Sequence, residues 1–272
     1  MLSRKLNMLA KHIIITGSTR GIGLGLAKAF LSFGCSVTIS GRRQESVDKT
    51  VSDLGSKHEA ERVFGVACDV TVPVQVQALW ERSVEQSGKV DIWINNAGTS
   101  GERGLVWELP PSEAQIPITT NVLGTVYGTQ VAMKGMLAQG FGAIYNMEGM
   151  GSDGRKHAGL TLYGTSKSAI HYLTESLALE AQQTPVLIGA LQPGMVITDM
   201  IVNRYNNRPE EWKRAKKIFN IIADTVENVT PWLADRILTN QKNGAILAYS
   251  STWKLLWRFA SQPFYKRNLF ES

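Results

Sequence analysis

The chain has only two cysteines among 272 residues, and Cys35 and Cys68 fall in neither a CxxC pair nor a metal-ligand spacing. A disulfide framework and a resident metal are therefore not expected, and a reducing compartment is the default. Both thiols lie on or beside apolar runs, where cysteine behaves as a small hydrophobe, so changing them to serine should leave function intact. Long hydrophobic runs are also missing. Nothing approaches the roughly eighteen apolar residues that span a bilayer. The opening MLSRKLNMLAKH has cations but no apolar core of signal-peptide length. A soluble or peripherally membrane-associated protein of the cytoplasm or an organelle stroma is expected. Nor is charge concentrated: the formal net charge of +6, with a pI near 9.3, is spread along the chain rather than gathered in one tract. That argues against a nucleic-acid partner and suits a basic rim facing an anionic cofactor or surface. Without internal repeats or low-complexity linkers, and with 43% hydrophobic residues, the chain reads as one domain.

Seven short β-rich runs are present: HIIIT (12–16), CSVTIS (35–40), RVFGVA (62–67), DIWIN (91–95), GAIYNM (142–147), VLIGALQ (186–192) and GAILAYS (244–250). Helical patterns such as LGLAKAFLSFG and VQALWERSVEQSG alternate with them, each stopping at a glycine suited to a C-cap. The rhythm predicts an α/β fold: a doubly wound, seven-stranded parallel sheet with helices on both faces. After the sixth run the alternation breaks. Residues 203–238 read as two or three helices, with Pro209, Glu210 and Glu211 forming a good helix start. An insertion at about 199–225, beyond a strand's carboxyl end, is expected to serve as a helical substrate lid.

The first run leads into TGSTRGIG, which places Gly17, Gly21 and Gly23 between a strand and a helix. Bare backbone there can approach a pyrophosphate at the helix N-terminus, with Ser18, Thr19, Arg20 and Ile22 completing the loop. The second run ends in SGRR rather than in an acidic residue. Arg42 and Arg43, with Arg20, suit the 2′-phosphate of NADP, because forked guanidinium donors match phosphate oxygens. Asp69, beside Val70, could accept from an adenine amino group or cap the following helix.

TGSTRGIG, NNAG (Asn95 to Gly98), Asn121 in TTNVLGT, YGTSK (Tyr163 to Lys167) and PGMVITD (Pro193 to Asp199) stand in the order found in short-chain dehydrogenases, and over about residues 11–250 the chain resembles that family. The resemblance implies a single-domain Rossmann fold, NADPH as cofactor and a homo-oligomer. Asn96, Ala97 and Gly98 would support the cofactor, and Pro193, Gly194, Val196 and Thr198 would hold the nicotinamide carboxamide. Tyr163 would donate the proton, Lys167 would tune it and bind the nicotinamide ribose, and Asn121 would hold a relaying water. Tyr163 and Lys167, four apart, share one helical face. An adjacent ammonium favours phenolate, drawing the tyrosine down from about 10.

One position departs from the family pattern. The serine expected after the fifth strand is replaced in IYNMEGMGSDG, where strand alignment puts Gly149 in its place. Ser152 is the nearest hydroxyl, and it could supply the missing donor or merely cap a turn with Asp153 and Gly154. NMEGMGSDG, DIWINNAG and FNIIADTVENVTPWLADRIL are similar to the chlorophyll b reductase branch of the family. That implies an apolar carbonyl substrate, the C7 formyl group of chlorophyll(ide) b, reduced to hydroxymethyl. Other carbonyls (3-oxoacyl, steroid or quinone) remain open, with Lys213, Arg214, Lys216 and Lys217 as candidate partners for a phosphopantetheine group. A cofactor sensor without turnover is the remaining alternative.

Residues 1–250 form the expected domain, and 251–272 an aromatic and basic extension. On a helical wheel Trp253, Leu256, Trp257 and Ala260 share a face that Leu255 and Phe259 broaden, Lys254 and Arg258 hold the remainder, and Pro263 should end the helix. That face suits core or dimer packing, a lip for a greasy substrate, or peripheral membrane contact through 252–262.

Overall fold

The computed structural model describes residues 11–206, 208–250, 252–261 and 267–270. Its centre is a seven-stranded, all-parallel sheet of β1 (His12–Ile15), β2 (Ser36–Gly41), β3 (Val63–Ala67), β4 (Ile92–Asn95), β5 (Gly142–Met147), β6 (Val186–Gln192) and β7 (Ala245–Ala248). Each strand lies within a residue or two of the run that predicted it. The spatial order is β3-β2-β1-β4-β5-β6-β7, so the winding reverses between β1 and β4 and opens a crevice at their carboxyl ends.

Alternation along the strands builds two cores. Ile13 and Ile15 point to one face with Leu26, Phe30, Val37 and Leu233, while Ile14 points to the other with Leu79, Trp93, Met136 and Ile188. Both faces are covered, which is why β1 is apolar at successive positions instead of alternating with polar ones. The covering helices are α1 (Gly21–Ser32), α2 (Gln44–Gly55), α3 (Pro73–Ser87), α4 (Pro111–Pro117), α5 (Gly124–Gln139) and α6 (Thr161–Glu180). Helix α3 starts on Pro73 and ends at Gly88, whose φ of 74° is the left-handed conformation predicted for a C-cap.

Beyond β6 come α7 (Asp199–Val202), a single 3₁₀ turn (Asn203–Tyr205), α8 (Pro209–Ile222) and α9 (Val226–Thr239). Helix α9 packs on α1 and buries Leu233, Ala234 and Ile237, so it belongs to the core. Between α8 and α9 the chain touches the loop after β6: Asp224 N donates to Met195 O at 2.9 Å, and Ile197 N donates to Asp224 O at 3.0 Å.

The extension forms α10 (Thr252–Ser261). Trp253, Leu256, Trp257 and Phe259 are exposed, at 81, 54, 67 and 53%. Arg258, on the side of the helix away from these aromatics, turns inward onto Asp224 and also donates to Ile222 O. Arg267 meets the other oxygen of Asp224 at 3.0 Å, and Phe270 packs edge-on against Trp212 with centroids 5.1 Å apart. Charge complementarity wins because Asp224 is buried and its carboxylate needs partners there. Pro263 and the side chains of Lys254 and Leu255 lie outside the described residues. Among the described residues no helix is long and apolar enough to cross a membrane.

Candidate active site

One cavity of ≈ 2160 Å³ runs along the carboxyl edge of the sheet. Every predicted cofactor residue except Ser18 lines it. Gly17, at φ 64°, turns the chain so closely past β4 that an added Cβ would stand 2.9 Å from Ala97 Cα. NNAG lashes this loop down: Asn96 N and Ala97 N both donate to Thr16 Oγ1 at 3.0 Å, and Asn96 Nδ2 donates to Thr16 O at 2.8 Å. Ser18 faces inward, donating to Ile15 O at 2.7 Å and accepting from Ser40 N, so its hydroxyl braces the loop from below. Helix α1 has no acidic residue in its first turn, which leaves its positive end open to an anion. Bare backbone, a helix N-terminus and three cavity-lining arginines fit a phosphorylated dinucleotide. Asp69 accepts from Thr71 N and Thr71 Oγ1, closing a turn ahead of α3, while the cap position itself belongs to Val72.

Tyr163 and Lys167 project from α6 toward the end of β5, both buried. Lys167 Nζ donates to Met147 O at 2.8 Å and lies 6.0 Å from the Tyr163 ring centroid. Burial draws the Lys167 pKa down to about 8, with the Glu148 charge opposing. The tyrosine moves opposite to expectation. Burial raises its pKa, and the cation that counteracts this is Arg204 rather than Lys167. A lysine held by a backbone carbonyl does not offset the desolvation of a phenol this deeply buried.

Asn121 sits in a π-helical stretch, Ile118–Leu123, between α4 and α5. Its amide is fully engaged by protein, donating to Thr99 O and Ser166 Oγ and accepting from Thr99 N. Ser166 in turn donates to Tyr163 O at 2.7 Å, so Asn121 is tied to the tyrosine through α6. Gly149 occupies the point facing the phenol: an added Cβ would lie 2.6 Å from Tyr163 Oη. Ser152 lines the cavity, but its hydroxyl donates back to Gly149 O at 2.6 Å, capping the turn of residues 149–152 rather than one with Asp153 and Gly154.

Four residues join the site that the motifs did not single out. Glu148, fully buried, accepts from His171 Nδ1 at 2.8 Å and Gln192 Nε2 at 2.7 Å. Burial draws the His171 pKa down, but Glu148, aided by Glu175 and Asp153, more than reverses this. Glu148 was legible as a carboxylate directly after an apolar strand, and His171 as the residue one turn beyond Lys167. Arg204, from the 3₁₀ turn, places its guanidinium carbon 5.0 Å from the Tyr163 ring centroid. No local pattern in the sequence announces that contact.

Residues 11–209 match the short chain dehydrogenase family. A chloroplastic probable chlorophyll(ide) b reductase of Arabidopsis thaliana is 34% identical over 263 residues, 90% of this chain and 52% of the relative. A chloroplastic chlorophyll(ide) b reductase of Oryza sativa subsp. japonica is 36% identical over 231 residues, 83% of this chain and 66% of the relative. The chain thus spans about half the length of the first and about two thirds of the second. A variant of actinorhodin polyketide ketoreductase solved with NADPH superposes with a TM-score of 0.78 at 26% identity, covering 89% of this chain and 96% of that one. The motif order, the sheet winding and these matches agree, and the chain is an oxidoreductase that belongs to the short-chain dehydrogenase family.

Proposed function

We propose that this chain reduces the C7 formyl group of chlorophyll(ide) b to hydroxymethyl, using NADPH. The observation that carries carbonyl reduction is the buried Tyr163–Lys167 pair opening into the same cavity as the glycine loop. The pigment is supported by the two plant relatives. Arg42 and Arg43, exposed at the cavity wall with no carboxylate beside them in the sequence, support the choice of NADPH.

A dinucleotide held by the glycine loop, Asn96 to Gly98 and Pro193 to Thr198 would supply the two electrons as hydride for the carbonyl carbon. As the carbonyl π pair moves onto oxygen, Tyr163 transfers its O–H proton there, completing the alcohol. Lys167, held on Met147 O, is a cation near the resulting phenolate and passes it a proton that is replaced from solvent water in the cavity, while Glu148, bonded to His171, favours the charged lysine against burial. Asn121 fixes α6 through Ser166, and Ser152 holds the turn that carries Gly149. Phe259 of α10 lines the same cavity, and it supports a lip for an apolar macrocycle. The exposed Trp253 and Trp257 support peripheral contact with a pigment-bearing membrane, and the relatives' chloroplast location supports a stromal setting. Flotation with anionic vesicles that survives Trp257→Ala unchanged removes that contact from the proposal.

The test is incubation of the protein with NADPH and chlorophyllide b, following the pigment spectrum. Conversion to the 7-hydroxymethyl product, abolished by Tyr163→Phe, is the expected outcome. Tight NADPH binding without conversion removes the pigment and leaves a reductase of another carbonyl.

A further inference from the structure

We infer that Arg204 is a catalytic residue, delivered by the 3₁₀ turn of residues 203–205 to hydrogen-bond the substrate's carbonyl oxygen beside Tyr163. The inference rests on carbonyl reduction at Tyr163, not on which carbonyl is reduced.

A carbonyl oxygen that gains charge during reduction has two lone pairs, whereas Tyr163 offers one O–H. A second donor is needed in a site this enclosed, because unmet charge is costly where water is excluded. The residue facing the phenol is Gly149, which has no side chain. The nearest hydroxyl, Ser152, donates to Gly149 O. Lys167 donates to Met147 O, and both donors of the Asn121 amide are taken. Arg204 is different. It lines the cavity, its guanidinium carbon lies 5.0 Å from the Tyr163 ring centroid, and its buried Nε has no protein acceptor. The guanidinium carries five N–H donors on a side chain that lines the cavity, more than the phenol can accept, which leaves donors for a ligand oxygen beside Tyr163.

The arginine is also held in position. Its neighbour Tyr205 packs into an aromatic cluster with Trp212 and Phe219, at centroid distances of 5.2 and 6.0 Å. Arg103 covers the other side of Tyr205 while pairing with Glu211 at 2.7 Å. The 3₁₀ turn is thus anchored to α8, which fixes the direction in which Arg204 leaves it. In the free protein the guanidinium already bears on the phenol, favouring its ionised form. In the reaction the same charge meets the oxygen as its proton arrives.

Two measurements test this. Ultraviolet difference titration against a Tyr163→Phe reference reads the Tyr163 phenol directly and needs no substrate. Lys167 and Glu148, the other charges nearby, are common to all variants. Arg204→Gln should ionise Tyr163 at higher pH than the wild type, and superimposable curves would overturn the contact. Turnover is then compared for wild type, Arg204→Ala, Arg204→Gln and Arg204→Lys, with chlorophyllide b and a simple aromatic aldehyde as probes and NADPH affinity as the fold control. Loss of one oxyanion donor typically costs about 10²–10³ in kcat, so the alanine and glutamine variants should fall by about that factor with a smaller change in KM. Arg204→Lys should keep part of the rate. Guanidinium ion added to Arg204→Ala should restore activity but do nothing for Tyr163→Phe. A kcat within about threefold of wild type, or a loss confined to KM, would refute the assignment. Failure of chlorophyllide b alone, with the aldehyde still reduced, removes the pigment and leaves this inference standing.

Discussion

Replacing Gly149 with alanine adds one carbon at the most confined point of the site. The backbone permits it, since Gly149 is not among the glycines with positive φ. Space does not. The new Cβ would lie 2.6 Å from Tyr163 Oη, and ordinary contact begins at 3.4 Å, so the phenol must retreat by about 0.8 Å. A small χ1 change can swing the hydroxyl that far, but it takes the proton donor off its position, and Lys167 Cγ and Cε, each at 3.4 Å from the same point, limit the room on another side. Misplacing a reacting group by about 1 Å costs on the order of 10²-fold in rate, and overpacking costs about 1–3 kcal/mol of stability. Gly149→Ala should therefore lower kcat roughly 100-fold, lower the melting temperature modestly and leave NADPH affinity near wild type. Gly149→Ser should be no better, although it restores the hydroxyl type expected after this strand. Steady-state carbonyl reduction with a fluorescence titration of NADPH is the assay. A Gly149→Ala enzyme with wild-type kcat would refute the packing argument, and a Gly149→Ser enzyme faster than wild type would show that the site lacks a donor rather than room.

Three further outcomes can be checked. Arg42→Ala and Arg43→Ala should each raise KM for NADPH about tenfold while leaving KM for NADH unchanged, and an equal rise for both cofactors would remove the phosphate assignment. His12, on β1, is buried against Thr38 of β2 and Phe64 of β3, and burial, helped by Lys89, lowers its pKa from 6.5 to about 4. The unfolded chain therefore takes up the proton first: stability is intact above pH 6.5 and declines as pH falls toward 4, by a total of ~3 kcal/mol. Urea melts of wild type and His12→Gln across that window should converge as the pH falls, and parallel acid slopes would contradict the assignment. Asp224→Asn should cost about 3 kcal/mol, because Arg258 and Arg267 both lose the carboxylate they enclose. A thermal melt unchanged by that substitution would show that the extension is held by other contacts.

Much of the fold was legible because its signals are local. Apolar runs of strand length, glycines at helix ends and Pro209 at a helix start each report the conformation of their own segment. Burial makes the two cysteines inert in the way their apolar surroundings suggested, with pKa values pushed up to about 11 and 12. The pairing of Tyr163 with Lys167 on α6 was legible for the same reason, since a spacing of four puts them on one face.

What failed to show in the sequence depends on residues that meet only after folding. The direction of the Tyr163 pKa followed from how completely the sheet edge encloses the phenol, not from its neighbour in YGTSK. Asp224 is 34 residues from Arg258, so a helical wheel of the last segment cannot reveal the pairing that turns Arg258 inward. The sequence by itself determined the doubly wound parallel sheet and the shared helical face of Tyr163 and Lys167, because periodicity and spacing are properties of the chain. The tertiary structure alone decided which cation reaches the phenol, why Gly149 must stay bare and which face of the last helix looks outward, because each is set by distances between segments remote in sequence.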